Sequence, residues 1–298
     1  MILTNVELGP FRSINTAQNC TIDPQVTVLV GMNEAGKTVF LQGIHKACDA
    51  LKIEHFEVLE DYPRKDLTRY NKIHPEKPEN AIKLTYMPEQ DDLDFINKKH
   101  NTDLKFGFTY SISTNYNNTR IISIYIDEKP IVSKLLNAGS FTSDTIKNAK
   151  EATTIRELVG LLEELDLNDS EQKAYQQLSS RVKSCDWDNI TQYEVFKSLD
   201  ERLPKTLYFS DYDILPGKLN IKDLARRYKQ SVTDPSQLTP KHKSILALLR
   251  MADVSIDELS DIDGYESLKA KIEGVSNSLT DQIMHFWKQN ENIEVVVG

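Results

Sequence analysis

Val26-Thr27-Val28-Leu29-Val30-Gly31-Met32-Asn33-Glu34-Ala35-Gly36-Lys37-Thr38 is the stretch on which the reading of this chain turns. Its first five residues are apolar or β-branched, which predicts a strand. From Val39 to Ala50 the spacing becomes helical, and over 37–52 it puts Phe40, Leu41, Ile44 and Leu51 on or near one face. Strand, glycine-rich loop ending in Lys-Thr, helix is the setting that a phosphate-binding loop needs. Gly31 and Gly36 let the backbone turn its N–H groups inward. The helix start adds a positive dipole end. Lys37 can reach the outer phosphates, and the Thr38 hydroxyl can hold Mg²⁺. The pattern fixes few positions and occurs by chance in ordinary loops; the flanking strand and helix argue against chance here. The implied ligand is a nucleoside triphosphate with magnesium.

Composition sets the bounds. The 298 residues suffice for one large domain or two smaller ones, with charged and apolar fractions of a globular protein. No apolar run approaches membrane-spanning length, and Met1–Asn5 lacks a basic region before a signal core, so a cytoplasmic protein without membrane partners is expected. Cys20, Cys48 and Cys185 lie far apart and are odd in number, so neither a disulfide framework nor a zinc site is expected. A net charge of −9 argues against nucleic-acid binding over the whole surface. Arg64-Lys65, Lys98-Lys99-His100, Arg226-Arg227-Tyr228-Lys229 and Lys241-His242-Lys243 are local basic segments, read more readily as solvated helix faces than as DNA sites.

Along the chain, residues 1–8 read as a strand and Pro10–Ile14 as a turn. Three β-rich runs follow, Ala81–Met87, Leu104–Tyr110 and Ile121–Ile126, with a short helix at Asp91–His100 and an Asn-rich turn at Thr114–Asn118. They predict an antiparallel sheet lobe. From Thr153 the period is helical, with Ile155, Leu158, Val159, Leu162 and Leu165 on one stripe. A strand is expected at 204–210, helices at 240–251 and 262–289, and a final strand from Asn292. The division that follows is residues 1–134 for the loop and β lobe, 135–202 for a helical insertion, and 203–298 for further strand and helices.

A phosphate-binding loop does not by itself hydrolyse a triphosphate. An acidic residue after a second apolar strand must assist Mg²⁺ and the water. Asp211, after Leu207-Tyr208-Phe209-Ser210, is the candidate catalytic carboxylate, with a strand-end or capping aspartate as the default reading. No Ser-Gly-Gly-Gln-like segment is present and the last strand ends in mid-run, so the sequence reads as the N-terminal part of a longer protein.

The opening Ile2–Ile14, with Phe11-Arg12-Ser13, followed by Leu29–Thr38 with Asn33 in the loop, resembles the start of ABC-type ATPases of the OLD, RecF and structural-maintenance-of-chromosomes groups. The Asn-Glu-Ala-Gly-Lys variant is most similar to OLD-like, defence-associated prokaryotic ATPases. The resemblance implies an α/β P-loop ABC-type ATPase head with an antiparallel β side lobe and a helical insertion. It implies that Gly31, Met32, Asn33, Glu34, Ala35, Gly36, Lys37 and Thr38 bind ATP, that Thr38 holds Mg²⁺, and that Arg12 lies near the nucleotide. It also implies head-to-head homodimers or higher oligomers over two ATPs, with DNA and a nuclease subunit or domain as partners. The family's signature helix and acidic strand would follow Gly298.

The leading expectation is therefore the ATP-binding part of an OLD/RecF-like ATPase in DNA metabolism or anti-phage defence, hydrolysing ATP as the full-length protein. The alternative is a non-hydrolysing, ATP-dependent assembly or scaffold protein. A small-molecule P-loop kinase is a third reading, disfavoured by the long helical insertion and the lack of an Arg-rich lid.

Overall fold

A computed structural model describes residues 1–49, 51, 53–74, 76–204, 206, 208, 218–262 and 265–286. Its first half contains β1 (Ile2–Leu8), β2 (Gln18–Thr21), α1 (Lys37–Cys48), α2 (Val58–Asp61), α3 (Tyr70–Ile73), β3 (Asn80–Met87), α4 (Gln90–His100), β4 (Tyr110–Asn115) and β5 (Arg120–Ser123). Helices α5 (Lys129–Leu136), α6 (Ser143–Ala149), α7 (Ile155–Glu163), α8 (Asp169–Lys183) and α9 (Ile190–Asp200) follow. The last are α10 (Ile221–Ser231), α11 (Pro240–Met251), α12 (Ile256–Ser260) and α13 (Tyr265–Phe286). The fold class is α/β, with a five-stranded antiparallel sheet in the order β2-β1-β3-β4-β5. Thr4 donates to the Thr85 carbonyl and the Gly9 N–H to the Ala81 carbonyl, so β1 and β3 run in opposite directions. No described helix is long and apolar enough to cross a membrane.

Several expected elements move. The run Leu104–Tyr110 is not a strand; β4 begins only at Tyr110. Asn97 holds Leu104 through both its N–H and its carbonyl. Gly107 then turns at φ 91°, with the Phe108 N–H donating to the Lys105 carbonyl. These side-chain and glycine contacts outbid the β propensity. The third β run stops at Ser123. Helix α1 ends at Cys48 because the Asp49 carboxylate takes the N–H groups of Leu51, Ile53 and Glu54.

The largest departure is Val26–Val30, which belongs to no strand. The Asp23 carboxylate accepts from Gln25 and Val26, and Thr27 Oγ1 accepts from the Asp23 N–H, making a side-chain-held turn into the run. Beyond it Val26, Val28 and Val30 are 66%, 73% and 89% exposed. A strand exists only through its neighbours' backbone groups, and none of the described strands lies beside this one. Asp211 and the strand expected from Asn292 lie outside the described residues.

The chain divides into two compact units, and β1, β3 and β4 contribute residues to both. One comprises 1–5, 84–113 and 120–204. Its core is Val132, Leu136, Phe141, Ile155, Leu158, Leu162, Leu178 and Ile190, of which Ile155, Leu158 and Leu162 belong to the stripe expected from the helical period. Its helix starts are tied by buried carboxylates: Glu128 accepts from the N–H groups of Ile155 and Thr191, and Glu171 from those of Thr142 and Asn168. The Met1 ammonium is buried against Glu89 and Asp92, and Asp92 also takes Arg202 at 2.6 Å.

The other unit comprises 6–83, 114–119 and 205–298. Leu51, Leu224, Leu246, Leu249, Ile256, Leu259, Val275 and Leu279 form one core within it, to which the long C-terminal helix expected from the sequence contributes Val275 and Leu279. A second, aromatic group joins Phe11, Phe56, Tyr62, Tyr70 and Tyr116 through edge-on rings. Helix α1 lies on β1 at Gly43, where a β-carbon would come 2.5 Å from Leu8 Cδ1.

Candidate functional site

The glycine-rich loop Gly31–Gly36 is exposed or nearly so throughout and delivers the chain into α1. Gly36 is the residue before the helix and adopts φ 88°, a left-handed conformation that only glycine takes at no cost. Glu34 is left-handed too, at φ 64°. The Phe40 N–H closes the first helical turn on the Gly36 carbonyl. No acidic residue stands in the first turn of α1, and His45 and Lys46 stand in its last. The dipole at the loop end therefore meets no competing carboxylate from its own helix.

Lys37 folds back over the loop. Its ammonium donates to the carbonyls of Gly31 and Met32, both at 2.8 Å. The cation thus ties the first residue of α1 to the first two residues of the loop. Thr38, at the second position of α1, carries its hydroxyl on an exposed side chain. Asn33 and Ala35 are exposed as well. A left-handed glycine, a lysine spanning the loop, an acid-free helix start and an exposed threonine suit a multiply charged anion with a hard cation.

Arg12, expected to lie near the nucleotide, makes its contacts within the protein. Its Nε donates to Asp61 Oδ1 at 3.0 Å and its Nη1 to Gln42 Oε1 at 2.6 Å. Its own N–H donates to the Asp61 carbonyl at 2.6 Å. Asp61 is fully buried and also accepts from Lys46 at 2.6 Å and from the Glu57 N–H at 3.0 Å. The Tyr116 hydroxyl donates to the Pro10 carbonyl at 2.5 Å and lies 3.3 Å from that of Asp61. Burial first, then the Asp61 charge, pushes this hydroxyl well above the ordinary tyrosine range, so it stays a donor. The turn nevertheless abuts the loop: a β-carbon on Gly36 would sit 3.5 Å from Ile14 Cγ1 and 3.9 Å from Ser13 Oγ. Asp61, Lys46 and Gln42 were not legible as site residues, because Arg12 and Asp61 stand 49 positions apart in the sequence.

Several residues of the basic segments are ion-paired or hydrogen-bonded within the protein. Arg226 and Arg227 pair with Asp223, Lys229 with Asp257, and Lys243 with Glu54. Lys99 donates to Ser198 and lies 5.3 Å from the Phe95 ring centre. Gln90, which follows β3, opens α4 and bonds Asp94. The chain matches no protein-family model, and no curated protein sequence matches it.

Proposed function

We propose that this chain binds ATP with Mg²⁺ at Gly31–Thr38 and serves as the nucleotide-binding part of an OLD/RecF-like ABC-type ATPase. The observation that carries the reading is Lys37 held across the loop at the acid-free start of α1. Backbone N–H groups of the loop and of the start of α1 would cradle the phosphates, and Lys37 would exchange two neutral carbonyls for phosphate oxygens, a stronger charge-assisted pairing. Thr38 would hold Mg²⁺, which supplies charge neutralisation on the phosphates. ATP-dependent pairing of two heads, with DNA or a nuclease as the responding partner, extends this reading through the resemblance.

Titration of Mg·ATP tests it. Lys37→Ala is expected to weaken binding by about tenfold to 100-fold, the loss of one or two hydrogen bonds to a charged group. Thr38→Ala is expected to lower the Mg²⁺ dependence of binding and leave the fold intact. Wild-type affinity in Lys37→Ala rejects the site. Binding without phosphate release supports the non-hydrolysing scaffold instead.

A further inference from the structure

We propose that Asp61 is a positioning residue for the phosphate-binding loop, fixing the rotation and height of α1 through Arg12, Gln42 and Lys46. The inference rests on the nucleotide-site reading above and deepens it. The buried Asp61 carboxylate holds Lys46 directly and Gln42 by way of Arg12. Gln42 and Lys46 are one helical turn apart and share a face of α1. On the position between them, Gly43 presses on Leu8. One carboxylate thus fixes α1 against the Arg12 turn and α2, while β1 fixes it on the adjoining face.

The loop follows from that arrangement. Gly36 is the last residue before α1, so any rotation of the helix swings the N–H groups that face the phosphates. The same turn that carries Arg12 packs on Gly36 through Ile14. Arg12 itself is left-handed, at φ 52°, a conformation that a non-glycine residue keeps only when its surroundings dictate it. Those surroundings are Asp61, which takes both the Arg12 N–H and its Nε, and the paired backbones of Phe11 and Ile14. Asp61 has Arg12 and Lys46 to hold and does not need to touch the ligand. Binding sites gain affinity when their contacting groups are held in place by supports of this kind.

The test compares Mg·ATP affinity in Asp61→Asn, Gln42→Ala, their double variant and Lys37→Ala, with circular dichroism and the urea midpoint measured for each. Asp61→Asn keeps the side-chain shape and removes the charge. Affinity is read where every variant is more than about 99% folded, so a merely structural role leaves it unchanged. Asp61→Asn is expected to weaken ATP about tenfold, equivalent to about 1.4 kcal/mol. Gln42→Ala, which cuts only the tie between Arg12 and α1, is expected to weaken it several-fold. The double variant is expected to lose less than the sum, because both changes act through Arg12. Amide hydrogen exchange across 31–38 is expected to quicken in both single variants. Folded Asp61→Asn and Gln42→Ala proteins with wild-type affinity, beside a weakened Lys37→Ala, overturn the inference while the site stands. Where Asp61→Asn does not fold, Gln42→Ala decides alone. Wild-type affinity in Lys37→Ala overturns the site and this inference together.

Discussion

Gly43 and Gly160 both stand inside helices, and the structure separates them. At Gly43 a β-carbon would meet Leu8 Cδ1 at 2.5 Å and Cδ2 at 3.1 Å, and Leu8 is wholly buried. Alanine there improves helix propensity by about 1 kcal/mol but forces α1 off β1, which costs about 1–3 kcal/mol in a packed core. The net expectation for Gly43→Ala is a loss of up to about 2 kcal/mol, together with weaker ATP binding as α1 shifts. At Gly160 in α7 a β-carbon meets nothing within 4 Å. Gly160→Ala is therefore expected to stabilise by about 0.5–1 kcal/mol. Urea midpoints of the two variants check the pair, and equal stabilisation by both would mean that α1 does not press on Leu8. At this scale the sequence marked Gly36 and Lys37 because their chemistry is local, written in one short loop. It could not mark Asp61 or Gly43, whose roles arise from residues 49 and 35 positions away in the chain.

Helix starts are the elements with the clearest energetics. Burying a carboxylate is costly unless its oxygens are filled, and Glu128 fills its own with the N–H groups of Ile155 and Thr191, the first turns of α7 and α9. Glu128→Gln keeps one acceptor and turns an amide N–H toward a backbone donor, so a loss of about 1–3 kcal/mol is expected by thermal or urea unfolding. Glu171 and Glu194 make the same point through pH. The Thr142 N–H, the Thr145 hydroxyl and the Asn168 N–H hold Glu171 at about 2. Burial pushes Glu194 up, but His100 and Arg181 outweigh it and bring it to about 2. Both are depressed from an ordinary value of 4.5. As pH falls, the unfolded chain takes up these protons first. Their stabilisation is therefore complete above about pH 4.5 and lost on the way down to about pH 2. The double variant Glu171→Gln/Glu194→Gln is expected to be less stable at neutral pH and to show a flatter acid limb in urea midpoints. An unchanged acid limb would show that other groups set it. Helices such as α4, α7 and α11 were legible because their caps and periods lie within the element. Strand limits were not, since Asn97, Gly107 and Asn115 redirect the backbone by contacts that hydrophobic alternation does not encode.

For the molecule as a whole, the feature that local signals could not place is the run that first pointed to the site. Val26–Val30 has the composition of a buried strand, yet Val26, Val28, Val30 and the following Met32 are 66–89% exposed. Composition says that a strand can form; only neighbouring backbones decide whether it does. An exposed apolar run with no described strand beside it invites pairing between molecules. The net charge of −9 opposes that approach, and salt screens the repulsion. Self-association of this chain is therefore expected to rise with ionic strength, as read by light scattering across a concentration series. Val28→Lys is expected to suppress the rise. Because Val28 is 73% exposed, the same change is expected to move folding stability by no more than about 0.5 kcal/mol. A loss of about 2 kcal/mol or more on Val28→Lys would contradict the exposed state, since a cost of that size comes from placing a charge in a packed site.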